Sequence, residues 1–530
     1  MQITPKKDHR AELLMPAGSL SKLKTAILYG ADAVYAGTPD LSLRTQSSFT
    51  LEELLEGVRF AHSRGRRIYL TLNLFTHNKD IEKLPLFVET VRKVRPDGVI
   101  VSDQGVFHYL REHAPELDLH VSTQANACSW LTVESWRTQG AKLCVLAREV
   151  SFEELTEIRE KCTDIKLEAF VHGAMCMTYS GRCLLSNFLA ERGANQGNCA
   201  QSCRWNYKVL ARRKDGTELE ITPDNKDDFD FYLEEEFRPG ELMKIEEDDR
   251  GSYIMNAKDL CLMPKLDDYL RIGIDSLKIE GRNKSEYYAA ITARAYRLAI
   301  DAWYADPEGW SPEPYLKELY TLQSRGYSLG FHEGRLTNLA HNYDRTETVG
   351  GWLYAGIVTE WDGDDLLLMV RNLLRAGDVL EFLPPEKMDI IRLRLYEFEN
   401  AETGEVSDRV SPGQGRQIRI PASHFHSEDL ATLKETLPPQ SVVRTEANLN
   451  EDRQDLLRSN LIGLDMERGL RESSDDRPTM KGRAHIGKAP KLGLDSCCGL
   501  GCNGCVMFWH DDKYADARKI LADKKIGEML

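Results

Sequence analysis

A chain of 530 residues, 42% hydrophobic and 8% aromatic, carries enough apolar side chain for a large core and is too long for one small domain. Its formal net charge of −15 excludes a protein that coats nucleic acid by charge alone. The opening residues MQITPKKDHRAELLMP are charged where a signal peptide needs an apolar run, and no run of about 18 apolar residues follows. The expectation is a cytoplasmic protein with no membrane span.

In chain order, short apolar strands alternate with amphipathic helices through the first 300 or so residues. Eight strands are predicted: Glu12–Pro16, Ala33–Ala36, Ile68–Leu74, Gly98–Ser102, Leu119–Thr123, Leu143–Ala147, Lys166–Val171 and Ser276–Glu280. Helices fall between them, such as Leu51–Ser63 behind a Thr50 cap and Phe152–Lys161 behind Ser151. Strand–helix alternation means parallel pairing through helical crossovers, and eight units predict an α/β fold of the (β/α)8 TIM-barrel type. A doubly wound open sheet is the competing arrangement. About a hundred residues separate the seventh and eighth strands, and this insertion (173–265) leaves the C-terminal end of a strand, where barrels place their chemistry. Between Asp224 and Arg250 it carries twelve acids against four bases. The barrel is expected over residues 1–310 and a helical connector over 311–347. Short strands with turn signals follow (Trp352–Trp361, Leu366–Arg371, Asp378–Leu383, Ile391–Phe398), with Ala376-Gly-Asp378 turning the chain. They predict a small β-barrel over 348–446, a module suited to substrate docking. A polar linker (447–490) and a cysteine-rich tail (491–530) complete the chain.

The twelve cysteines are not spread evenly. Cys128, Cys144 and Cys162 fall in periodic segments as small hydrophobes. Cys176 and Cys183 flank a glycine-containing turn, and Cys199, Cys203 and Cys261 follow. Four thiolates on one loop system are a preferred shell for an iron–sulfur cluster or zinc. The wide first spacing departs from the tight knuckles of zinc sites and favours iron–sulfur.

The residues Glu168 to Ser186, EAFVHGAMCMTYSGRCLLS, resemble the signature of peptidase family U32. The resemblance runs through ELLMPAG (12–18), GADAVYAG (30–37), HVSTQAN (120–126), MNAKDL (255–260) and SLKIEGR (276–282). It continues into the β module. Ser42-Leu-Arg44, Phe170-Val-His-Gly173, Arg238-Pro-Gly240 and Tyr253-Ile-Met-Asn256 are similar to the branch of the family that hydroxylates tRNA. This resemblance implies an oxygen-independent hydroxylase with a 4Fe-4S cluster and prephenate as the small-molecule hydroxyl donor. The product in that branch is 5-hydroxyuridine at the tRNA wobble position; other branches act on ribosomal RNA or a quinone ring. Carried over by position, the cluster ligands are Cys176, Cys183 and Cys199, with Cys203 preferred as fourth and Cys261 the alternative. The electron donor and oligomeric state stay open, and neither HExxH nor GxSxG occurs to support a peptidase.

On the eighth strand Lys278, Glu280 and Arg282 share a face by period two. Such a row is costly in an apolar core and suits a barrel mouth, where Arg282 and Lys278 are expected to bind the donor's carboxylates. A structural salt-bridge layer is the alternative. His172 is a candidate for proton transfer or for hydrogen bonding behind the cluster. Asn73, Gln124 and Asn126 end strands and are candidates for reading a base edge; Arg44 and Tyr35 are candidates for a phosphate or a stacked base. Cys497, Cys498, Cys502 and Cys505 crowd into nine residues as a candidate second metal site, a redox thiol pair or a mobile tail.

Overall fold

The computed structural model describes residues 10–38, 49–74, 76–175, 179, 210–212, 218–220, 231–234, 242–248, 251–253, 257–334, 350–413, 416–425 and 429–447. Eight parallel strands close on themselves: β1 (Glu12–Ala17), β2 (Ala33–Gly37), β3 (Arg67–Leu72), β4 (Gly98–Val101), β5 (Leu119–Val121), β6 (Leu143–Val145), β7 (Lys166–Gly173) and β8 (Ser276–Ile279). β8 pairs with β7 on one side and β1 on the other, which makes a barrel and rules out the open sheet. The crossovers are α1 (Leu20–Leu28), α2 (Leu51–His62), α3 (Leu84–Val94), α4 (Gln104–His113), α5 (Trp130–Thr138), α6 (Phe152–Lys161) and α7 (Leu266–Arg271). α8 (Glu286–Ala305) follows the last strand.

Local chemistry starts and stops these elements. Thr50 and Ser151 each accept from the backbone N–H three residues on, while Glu53 and Glu154 reach back to the cap, so α2 and α6 both begin with capping boxes. At the opposite end of the barrel an aspartate precedes each of three strands. Asp32, Asp97 and Asp275 accept from the N–H of Leu13, Ile68 and Leu167 on the neighbouring strand. These carboxylates satisfy strand-end donors that the ladder leaves over.

Past β7, the strand Asp259–Cys261 runs antiparallel to the end of β7 and carries Tyr327–Ser328 on its other edge. The strands between, Leu210–Arg212 with Glu218–Glu220 and Phe231–Glu234 with Leu242–Asp248 and Gly251–Tyr253, form antiparallel ladders of a separate compact unit.

The barrel shares its unit with a β module. The module comprises β9 (Trp352–Asp362), β10 (Asp365–Val370), β11 (Leu374–Arg375), β12 (Val379–Leu383), β13 (Ile391–Arg394), β14 (Phe398–Asn400), β15 (Val406–Ser407), β16 (Arg409–Val410), β17 (Gln417–Pro421) and β18 (Val442–Glu446). Eight of these form one sheet in the order β13-β12-β18-β9-β10-β17-β14-β15, all antiparallel. Among the described residues no pairing joins the two edge strands, so the expected small barrel is an eight-stranded sheet around its own core of Leu366, Leu380, Phe382, Phe398 and Val443.

The module is bolted to α1 and α8. The Tyr29 hydroxyl donates to Leu383 O (2.6 Å) and accepts from Val442 N (2.8 Å). Arg294, with no exposed side-chain surface, donates to Lys387 O and Asp389 O and pairs with Glu318 at 2.9 Å. Arg444 bridges Glu318 (3.4 Å) and Glu381 (2.8 Å). Charges this deeply buried survive only because each has several partners.

Candidate functional site

Two tiers of polar side chains fill the barrel. Leu14, Ala33, Tyr35, Tyr69 and Ile100 supply its apolar filling. Toward the N-terminal end, Lys278 Nζ lies 2.7 Å from Glu168 Oε1, both nearly without solvent contact, and Ser276 donates to Glu168 Oε2 at 2.8 Å. The ammonium also stands over the rings of Tyr35 (4.6 Å) and Phe170 (5.5 Å). Lys278 is thus matched inside the barrel and does not stand at the mouth with Glu280 and Arg282; the salt-bridge alternative describes its place. Glu12 completes this lower tier, with Arg67, the Tyr69 hydroxyl (2.9 Å) and Ser276 (3.4 Å) around it.

Burial, partly offset by Arg67, raises the Glu12 carboxyl from 4.5 to about 7. A raised folded value means that folding favours the proton. The stability it contributes is therefore complete below pH 4.5 and is lost as pH rises toward 7. The loss is roughly 3 kcal/mol. Glu12→Gln should remove this slope, so unfolding midpoints of variant and wild type should converge at low pH and separate near pH 7, the variant the more stable. Parallel pH profiles would refute it.

The upper tier opens on the C-terminal end. Arg148, three residues past β6, lays its guanidinium over the Phe170 ring (4.0 Å) and approaches Glu280 Oε2 at 3.5 Å. Tyr35 donates to Ile279 O (3.0 Å) and reaches the same Glu280 oxygen at 3.4 Å. Arg282 donates to Thr71 Oγ1 at 3.0 Å and stands 5.8 Å from the centre of the Tyr35 ring. Arg148 thus faces the Glu280 carboxylate and Arg282 stands on Thr71 and Tyr35, the three side chains nearly out of solvent. Sequence reasoning found Glu280 and Arg282 but missed Arg148, whose only signal was its place just beyond a barrel strand.

Tyr35 is buried and bonded within this network, so the stacking role considered for it is withdrawn. Gln124 accepts from Ser102 (3.4 Å) and Ser122 (3.1 Å) in the turn after β5. Asn126 takes a left-handed backbone, φ 52°, and its buried Oδ1 has no hydrogen-bond partner among the described residues. Asn73 follows β3, half-buried.

His172 does not face the mouth. β7 and β8 run in register to Phe170 and Lys278, then shift so that His172 pairs with Ile279. The extra residue is a bulge, and it reverses the inside–outside alternation. The imidazole consequently packs outside the barrel, 5.3–5.9 Å from the rings of Tyr288, Tyr296 and Tyr327. Burial drives its pKa down to about 3, so it is neutral there. Cys261, paired across from His172 and fully buried, lies against the hydroxyl of Tyr296. Gly173, which follows His172, has φ 117°, and a Cβ there would meet Glu280 O at 2.5 Å. Only glycine lets the two strand ends converge where the cysteine segment departs.

Arg44, Cys176, Cys183, Cys199, Cys203 and the tail cysteines Cys497, Cys498, Cys502 and Cys505 lie outside the described residues. Among the described residues no three His, Cys, Asp or Glu side chains gather as a metal shell. Of the basic run at Arg64–Arg67, Arg66 pairs with Asp32 and Arg67 with Glu12, on the end of the barrel opposite the mouth. No helix of the described residues is long and apolar enough to cross a membrane.

Comparison with known proteins places this site in context. A tRNA hydroxylation protein P from Escherichia coli strain K12 is 39% identical over 437 residues, 78% of this chain and 94% of that one. A 23S rRNA 5-hydroxycytidine C2501 synthase from the same strain is 30% identical, over 77% of this chain and 57% of its own length. A protein named collagenase from Porphyromonas gingivalis strain W83 is also 30% identical, over 76% of this chain and 96% of its own. The sequence profile of peptidase family U32 matches residues 18–342. The chain belongs to peptidase family U32.

Proposed function

We propose that this protein is a cytoplasmic tRNA hydroxylase that converts the wobble uridine to 5-hydroxyuridine. Prephenate would supply the hydroxyl group, and a 4Fe-4S cluster would be held by Cys176, Cys183, Cys199 and Cys203. The carrying observation is the 39% identity that extends over 94% of a protein named for tRNA hydroxylation, across both barrel and β module. A four-thiolate donor set suits such a cluster, which when bound supplies one-electron chemistry. Engagement of the Cys261 thiol with Tyr296 favours Cys203 as the fourth ligand. The chain's own groups would bind and orient: Arg148 and Arg282 offer planar forks to the donor's carboxylates, and Glu280 holds Arg148 between turnovers. Asn126, just past β5 with a buried Oδ1 that has no hydrogen-bond partner among the described residues, carries an amide suited to a base edge.

The test is mass spectrometry of digested tRNA from cells lacking the gene, complemented with wild type or with Cys176→Ala. Loss of 5-hydroxyuridine and rescue by wild type alone is expected. Unchanged wobble uridines, with no second enzyme duplicating the activity, would overturn the tRNA reading and direct attention to ribosomal RNA. The name of the Porphyromonas gingivalis relative keeps a peptidase in view. Cleavage of denatured collagen by metal-free protein would favour it.

A further inference from the structure

The β module carries an unusual pairing of like charges. In the two-residue ladder of β11 and β16, Leu374 and Val410 turn inward while Arg375 and Arg409 stand directly opposite one another on the outer face. Like charges at such positions repel, because directly opposed side chains lie about 5 Å apart. Neither guanidinium has a carboxylate partner among the described residues, in contrast to Arg392, Arg419 and Arg444 of the same module.

The same place holds two more exposed groups. β13 alternates, with Leu393 and Leu395 in the core and Arg392, Arg394 and Tyr396 outside. Tyr396 is 74% exposed, the largest value among the exposed bulky apolar side chains described. Backbone bonds from Gly377 N to Leu395 O (2.7 Å) and from Leu395 N to Asp378 O (3.0 Å) tie this strand end to the turn after Arg375. Ala376 N donates to Asp408 O (2.8 Å), which ties in β16 as well. These backbone bonds place the exposed residues Arg375, Arg394, Arg409 and Tyr396 on three segments that meet at one turn. Of the neighbouring carboxylates, Asp378 is committed to the N–H of Arg375; Glu397 and Asp408 are exposed beside the group.

We infer that this cluster is a docking surface for RNA remote from the reacting base, its arginines facing phosphates and Tyr396 stacking on an unpaired base. The chemistry fits because RNA alternates anionic phosphates with π-faces, and Arg and Tyr meet both on a rigid β scaffold. A bound phosphate between Arg375 and Arg409 would also relieve their repulsion. The inference rests on the RNA-hydroxylase reading and adds where the substrate is held.

The experiment measures binding of an unmodified tRNA transcript to the full-length protein by fluorescence anisotropy over a salt series. A variant with Arg375→Ala, Arg394→Ala and Arg409→Ala should lower the slope of log K against log salt by about 0.9 for each phosphate no longer neutralised. Tyr396→Ala should weaken binding roughly tenfold with the slope unchanged, and Tyr396→Phe should restore it. All four positions are exposed, and equal unfolding midpoints would show that the fold is intact. If wild type binds and modifies tRNA while the triple variant keeps its slope and affinity, RNA does not dock here and the hydroxylase reading survives. An equal fall in affinity on removing Arg92, Lys161 and Arg271 from the barrel would overturn the assignment as a general charge effect. If wild type neither binds nor modifies tRNA, the RNA reading itself falls and this inference with it.

Discussion

Lys278→Met should destabilise the barrel by about 3–5 kcal/mol. The ammonium neutralises Glu168 at 2.7 Å deep inside the strands, where neither group meets water. Without it, Glu168 keeps only the Ser276 hydroxyl among the described residues, a buried carboxylate that has lost its counter-ion. The destabilisation comes from stranding a charge rather than from the net worth of the pair, which its own desolvation largely offsets. Adding Glu168→Gln to Lys278→Met should therefore recover most of the stability, since no charge is left stranded. A double-mutant cycle on unfolding midpoints decides it. A double variant as unstable as the single one would show that Lys278 acts through packing on Tyr35 and Phe170 instead.

If prephenate is the donor as proposed, Arg148→Met and Arg282→Met should each raise its KM about 10- to 100-fold, the range expected for a charge-assisted hydrogen bond. Arg148 approaches Glu280 at 3.5 Å and Arg282 donates to Thr71, so both strand-end guanidinium groups are placed to meet an incoming dicarboxylate. Lysine at either position keeps the charge but loses the planar fork, and should restore only part of the affinity. The KM for tRNA should move little. Equal changes in both KM values would point to a general loss of structure, and an unchanged donor KM in both variants would remove the arginines from donor binding.

The barrel was legible because its signals are local and repeated. Thr50 with Glu53 and Ser151 with Glu154 mark helix starts, and eight apolar runs alternating with helical stretches leave few other topologies. What the sequence hid depends on register. Period-two counting put Lys278, Glu280 and Arg282 on one face, but β8 ends at Ile279 and Gly281 takes φ 151°, so the row divides between interior and mouth. The bulge at His172 is one residue of slippage, and it decides which side of the wall an imidazole faces. No local pattern encodes it. Arg148 and the Glu168 partner of Lys278 were hidden for another reason: both pairings join residues more than a hundred positions apart.

The bolting of the β module to α1 and α8 has a consequence for biosynthesis. Tyr29 leaves the ribosome 413 residues before Val442, whose N–H it accepts, and Glu318 waits 126 residues for Arg444. At roughly 5–20 residues per second, a barrel complete at Ile279 waits on the order of ten to thirty seconds for Val442 with its docking tyrosine exposed, and the Arg294–Glu318 pair waits uncovered for Arg444. During that interval the face of α1 and α8 is open to chaperones and to proteases. A ribosome stalled before Val442 would release a barrel in that state, so full-length synthesis is itself a quality check on this fold.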